Sequence, residues 1–300
     1  MIPKFMVKVL VLMSTWNGGL FLREQINSIL RQEFDGEIEL WIRDDGSTDN
    51  TLSIADEYSS RQIRIIRGGL NLGAKSSFLY LINLARESNA DYFALADQDD
   101  VWMPGRISRA LECIRDSDCP TLYCSALELV DSRLRHLSNF IHTGRRSLRS
   151  AIFVNYLTGC TCLFNRSFLG VIKSPENLDQ VIMHDWWLCL IGSAFGTIFY
   201  DKNPSIKYRQ HGSNQIGIER GFRGNVRRLY RCFKKSPFPS RIGQVSCFYA
   251  TYKKDLIDAD RFYLEKMVKG SDRFLRRLKL IALFKNDVDL ISGLRFILFK

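Results

Sequence analysis

The run Ala94-Leu-Ala-Asp97-Gln-Asp99-Asp100-Val-Trp102 leads an apolar segment directly into three carboxylates. The residues before it, Asp91-Tyr-Phe-Ala-Leu-Ala, are short, aromatic and aliphatic, the composition of a buried strand. Acids at the carboxyl end of such a strand lie where an open α/β sheet carries ligand chemistry. Crowded carboxylates repel one another unless a cation sits between them, and hard oxygen donors suit Mg²⁺ or Mn²⁺, ions that usually also carry a phosphate. Taken in isolation, Asp97 and Asp99 read first as turn and cap residues before a helix that Pro104 opens, and the rest of the chain shifts that weighting.

A second acidic set, Asp44-Asp45-Gly46-Ser47-Thr48-Asp49, ends another apolar run. As local chemistry it makes a tight turn with a helix cap. As ligand chemistry, a carboxylate fixed there accepts the ring N–H of uracil or thymine, and Gly46 lets the backbone approach a ribose. Ser14-Thr15-Trp16-Asn17-Gly18-Gly19 closes the first apolar run at the same edge. Neither the Gly-x-Gly-x-x-Gly dinucleotide pattern nor a Gly-Lys-Ser/Thr phosphate loop is present. Further along are Leu157-Thr-Gly159-Cys-Thr, His184-Asp185-Trp186-Trp187 and Tyr208-Arg-Gln-His211-Gly-Ser-Asn.

These residues need strands and helices to hold them. Val7–Met13, 38–43 and 63–66 read as strands, each followed by a segment with apolar residues at helical spacing, and the strand before Asp97 is the fourth. A helix over 104–115 follows, then strands over 121–130 and 158–164, a helix over 183–195, and short strands over 197–200 and 206–208. The alternation predicts an α/β domain with a Rossmann-like, mostly parallel central sheet flanked by helices. That domain is placed at residues 1–217, with a basic, amphipathic helical region at 218–300.

Three hundred residues, 46% of them hydrophobic, suffice for a substantial core. The net charge of +11 is uneven: residues 1–217 hold 23 Lys/Arg against 24 Asp/Glu, and residues 218–300 hold 20 against 8. The basic excess therefore describes what the last quarter faces. There, Arg220 to Lys235 interleaves cations with Phe222, Tyr230 and Phe233, 273–285 reads as a basic amphipathic helix, and 294–300 is basic and apolar. Such segments suit an anionic membrane surface. Nucleic acid is not expected as a partner, because no recognition motif accompanies the charge. A solvated helical cap is the plainer reading. Eight cysteines without a Cys-x-x-Cys pair indicate reduced thiols rather than a zinc knuckle or a disulfide frame. The first apolar run is too short to span a membrane and no other stretch reaches the roughly twenty residues required, so a cytoplasmic protein at the inner face of the membrane is expected.

In order and spacing, Ser-Thr-Trp-Asn-Gly, Arg-Asp-Asp-Gly-Ser-Thr-Asp-Asn-Thr, Asn-Leu-Gly, Asp-Gln-Asp-Asp-Val-Trp, Leu-Thr-Gly-Cys-Thr and His-Asp-Trp-Trp resemble the signature of family 2 glycosyltransferases with the GT-A fold, over about residues 7–211. The resemblance implies inverting transfer of a sugar from a nucleotide diphosphate sugar to an acceptor hydroxyl. It places Thr15, Asn17, Asp44, Asp45, Lys75 and Asp97 at the nucleotide, and Asp99, with Asp97 and His211, at a Mg²⁺ or Mn²⁺ ion bridging the diphosphate. Lys75 and Arg106 either add to the stabilisation of the leaving group or are ordinary surface cations. Asp185, at a helix N-terminus that keeps a carboxylate ionised, takes the role of base, although it also reads as a cap over two core tryptophans. Gly159, His184 and Trp186 fall to the donor sugar or acceptor, Trp186 as a stacking face. The motif set is similar to the rhamnosyltransferase-like branch, implying a dTDP- or UDP-sugar donor and a lipid-linked oligosaccharide acceptor. A sugar nucleotidyltransferase and a non-catalytic polysaccharide-binding module are the alternatives. The first normally carries an N-terminal glycine-rich basic loop, which this chain lacks.

Overall fold

The computed structural model describes residues 6–143, 146–211 and 240–270. Among these, the chain forms two compact units, one from 6–142, 157–172 and 196–211, the other from 143, 146–156, 173–195 and 240–270. The expected boundary at 217/218 falls outside the described residues, as do the basic segments at 220–235, 273–285 and 294–300.

The first unit holds the sheet. Strands β1 (Val7–Thr15), β2 (Gly36–Asp44), β3 (Ile63–Arg67) and β4 (Tyr92–Ala96) alternate with helices α1 (Leu22–Leu30), α2 (Thr51–Glu57) and α3 (Gly73–Leu84). They pair in parallel in the order β3-β2-β1-β4. Val9 to Met13 and Tyr92 to Ala96 are buried throughout because helices cover both faces of the central strands, which is why these runs are apolar without alternation. Helix α1 buries Leu22, Gln25, Ile26 and Ile29, one stripe at helical spacing. In register Thr15 lies beside Asp44 and Met13 beside Ala96, so β1, β2 and β4 end level and their loops leave from one edge.

Beyond β4 come β5 (Val101–Trp102), α4 (Arg106–Ile114), β6 (Thr121–Val130), β7 (His136–Phe140), β8 (Leu163–Asn165), α6 (Arg166–Val171) and β9 (Thr197–Arg209); the sheet continues β4-β8-β6-β9-β5, with β7 on β6. Here the structure corrects three expectations. The strand expected over 158–164 is a 3₁₀ turn at Gly159–Thr161 followed by the short β8. The two strands expected over 197–208 are one strand, because the bulged register between Ser125 and Glu128 accommodates Pro204 without breaking the pairing. The helix expected from 104 starts at Arg106, after the two-residue β5. Strand β7, with little apolar content, was not foreseen.

In the second unit α5 (Leu148–Ala151), α7 (His184–Phe195), α8 (Arg241–Tyr252) and α9 (Asp258–Gly270) are the α-helices among the described residues, with a 3₁₀ turn at Leu178–Gln180. Trp187 of α7 packs its ring 5.6 Å from Phe248 and 6.1 Å from Tyr252 of α8. The Tyr252 hydroxyl accepts the Lys173 N–H at 2.7 Å. No helix among the described residues is long and apolar enough to cross a membrane.

Candidate active site

Three loops meet at the level edge. Asn17 Oδ1 accepts the Thr48 N–H at 2.8 Å and the Asn17 N–H reaches Ser47 Oγ at 2.9 Å, tying the loop after β1 to the loop after β2. On the other side Gln98 clasps Trp16, accepting its N–H at 2.8 Å and donating to its carbonyl at 3.1 Å. Gly18 leaves room for that clasp, since a Cβ there would meet Gln98 Oε1 at 2.1 Å. The acids after β2 and those after β4 thus flank one shared loop, whose Trp16 stays half exposed.

Within this edge Asp44 and Asp45 are both buried. Asp44 accepts from Ser47 Oγ at 2.5 Å, Ser47 N at 2.9 Å, Gly46 N at 3.1 Å and Thr15 Oγ1 at 3.2 Å. Gly46 turns at φ +82°, a conformation a side chain would resist. Asp45 accepts the Leu72 and Gly73 N–H groups at 2.8 and 2.7 Å and pairs with Arg43, itself buried and bonded to Ser77 Oγ at 2.6 Å. Both carboxylates thus shape the loops that carry them. Lys75 lies in the first turn of α3, half-buried, two residues beyond Gly73.

The second acid set meets the end of β9. His211 Nε2 lies 2.8 Å from Asp99 Oδ2, both side chains largely buried with some solvent access. Asp97, Asp100 and Cys160 bring ligand atoms within 4.8 Å of one another. Carboxylate oxygens suit Mg²⁺ or Mn²⁺ and imidazole nitrogen is a donor for Mn²⁺; of the expected Asp97, Asp99 and His211 set, His211 stands against Asp99, while Asp97 groups with Asp100 and Cys160. Sequence reasoning left Asp100 without a role. Burial, reinforced by the charges of Asp99 and Asp97, pushes its carboxyl well above the ordinary carboxylate range, and burial raises the Cys160 thiol and the Tyr208 phenol as well.

Arg106 proves to be neither a surface cation nor exposed to a leaving group. It is buried, stacks 3.6 Å above the Trp102 ring and donates to the Cys160 carbonyl at 2.8 Å, and burial pulls its pKa down to about 10. Gly159 is buried in the adjoining 3₁₀ turn.

In the second unit, Asp185 lies in the first turn of α7, partly exposed, and its Oδ1 accepts the Trp186 N–H at 2.6 Å. The expected sugar-contacting faces are corrected here. Trp186 is buried, its indole N–H donating to the Ala151 carbonyl at 2.6 Å with Arg241 5.7 Å from the ring centroid, so the ring serves packing. His184 is fully enclosed, and burial lowers its pKa to about 3, leaving a neutral ring inside the unit.

A parallel half-sheet whose level edge carries two acidic loops, extended by a mixed half that returns a histidine to them, is the GT-A arrangement of a glycosyltransferase. The chain belongs to glycosyl transferase family 2, whose model matches residues 10–172. It is similar to the dTDP-rhamnosyl transferase RfbG of Shigella flexneri, 29% identical over 227 residues, covering 72% of this chain and 78% of that protein. An uncharacterized glycosyltransferase of Haemophilus influenzae is 26% identical over 223 residues, covering 70% of this chain and 68% of its own length. Among solved structures, S. aureus TarS 1-349 in complex with UDP-GlcNAc superposes with a TM-score of 0.59 at 13% identity, covering 97% of this chain and 82% of that one, a likeness of fold.

Proposed function

We propose that this glycosyltransferase moves a hexose, L-rhamnose in the first instance, from a dTDP- or UDP-sugar to a hydroxyl of a lipid-linked polysaccharide intermediate, with inversion. The observation that carries the reading is the pairing of Asp99 with His211 on the edge that also bears the Asp44 and Asp45 loops. Thr15, Asn17 and the two loop acids would form the base and ribose side, with Lys75 nearby. Asp97, Asp99 and His211 would hold Mg²⁺ or Mn²⁺, which when bound offsets the negative charge developing on the diphosphate. The Asp185 carboxylate would take the acceptor hydroxyl's proton as that oxygen attacks the anomeric carbon and the bond to the diphosphate oxygen breaks. The similarity to a dTDP-rhamnosyl transferase supports the choice of sugar. The basic C-terminal region would hold the enzyme on the anionic inner face of the membrane, beside its acceptor.

The test is a panel of nucleotide sugars incubated with Mn²⁺ and lipid-linked acceptor. Release of dTDP or UDP with glycosylated acceptor is expected. Release of pyrophosphate would instead identify a nucleotidyltransferase, and no release from any donor would leave a polysaccharide-binding module.

A further inference from the structure

Arg209 has no role in the reading above, yet its side chain is engaged on every arm beside the acids. It is 1% exposed at the end of β9. Its Nε donates to the Asp99 carbonyl at 2.8 Å, its Nη1 to the Ser132 carbonyl at 2.6 Å and its Nη2 to Glu24 Oε2 at 2.6 Å, while its backbone N–H reaches Asp100 Oδ1 at 3.1 Å. The guanidinium lies 4.3 Å from the centroid of the Phe21 ring, and that ring lies 5.1 Å from the ring of His211. Phe21 and Glu24 belong to the entry and first turn of α1, and the Phe21 N–H bonds back to the Gly18 carbonyl at 3.1 Å, within the loop that carries Thr15 and Asn17.

We infer that Arg209 is a positioning residue: with Phe21 and Glu24 it clamps the end of β9 onto the Asp99 carbonyl and the Asp100 carboxylate, so that His211 stands ready against Asp99 before any ligand arrives. The inference rests on the reading of Asp99 and His211 as the cation-binding pair. Only a planar fork of fixed donors serves three acceptors in three directions while lying on an aromatic face, which a lysine does not reproduce. Because the same turn of α1 anchors the nucleotide-side loop, the clamp joins the base side of the edge to its cation side.

The test measures Mn²⁺ binding by the full chain in the presence of dTDP or UDP, from the electron paramagnetic resonance of free Mn²⁺, for Arg209→Lys, Glu24→Gln and Phe21→Leu, each also combined with His211→Ala. Weakening of about tenfold or more is expected for Arg209→Lys, the loss usual when a partner of a metal ligand is removed, with smaller losses for the other two at unchanged thermal midpoint. In the His211→Ala background none of the three should cost anything further. Should Arg209→Lys fail to fold, the variants of the exposed Glu24 and the partly buried Phe21 decide. Unchanged affinity in both, equal losses with and without His211, or no Mn²⁺ binding by the unaltered chain would overturn the inference. Failure of the donor panel to release nucleotide would overturn the proposed function instead, and the two outcomes are read independently.

Discussion

Asp45→Ala tests how the loop after β2 is held to the sheet edge. The Asp45 carboxylate pairs with Arg43, which is 4% exposed and has Ser77 Oγ as a further partner at 2.6 Å. Removing the acid leaves a buried cation without its counter-charge, which costs about 3–5 kcal/mol. The Leu72 N–H also loses its acceptor, but Leu72 is 44% exposed, so water recovers most of that part, and the Gly73 N–H keeps Asn71 Oδ1 at 3.0 Å. The cation therefore dominates, and the loss should fall in that range, a large share of the roughly 5–15 kcal/mol that holds a typical domain. Arg43→Met should cost less, since Asp45 keeps both backbone donors, and the double variant should cost less than the two single losses added together. Urea unfolding at equilibrium, analysed at constant slope, measures all three. A loss below about 1 kcal/mol for Asp45→Ala, or strict additivity, would refute the claim that the buried pair organises this edge.

Other outcomes follow from the same geometry. Asp185→Asn should abolish transfer while donor binding persists, checked by turnover beside calorimetric binding of the nucleotide sugar; retained turnover would remove Asp185 from the role of base. Chelation with EDTA should stop transfer, and Mn²⁺ or Mg²⁺ should restore it, by assay of released dTDP or UDP. Folded His184 stays neutral down to about pH 3 whereas the unfolded ring takes up a proton near 6.5, so the unfolded state binds more protons between those values. Its share of stability is full above 6.5 and drains as pH falls: His184→Leu should remove about 2 kcal/mol of the loss seen on going to about pH 5, by denaturant titration at each pH. Full-length protein should sediment with anionic liposomes at moderate salt, and failure to do so would reject the membrane role of the basic region.

Much of the first unit was legible because its signals are local. Apolar runs of strand length, Asp and Gly turns, and helical spacing after each turn depend on near neighbours alone, and right-handed crossovers leave few ways to join them. The mixed half of the sheet was less legible. Gly159 to Thr161 has the composition of a strand, yet forms a turn held by hydrogen bonds from the Thr161 N–H and Oγ1 to the Thr158 carbonyl. Arg209 stood in plain view beside Tyr208 and His211, but nothing in a Tyr-Arg-Gln-His run says that its partners lie on the first helix.

The amino-acid order by itself determined the strand-loop-helix alternation, the edge on which the acids gather, and the family. Only the tertiary structure decided which side chains meet: Asp99 with His211 across 112 residues, Arg209 with Glu24 across 185, and Trp186, His184 and Arg106 withdrawn from solvent. The reason is physical. Backbone conformation answers to neighbours along the chain, whereas the burial and partner of a charged or aromatic group are set by whatever distant segments pack over it.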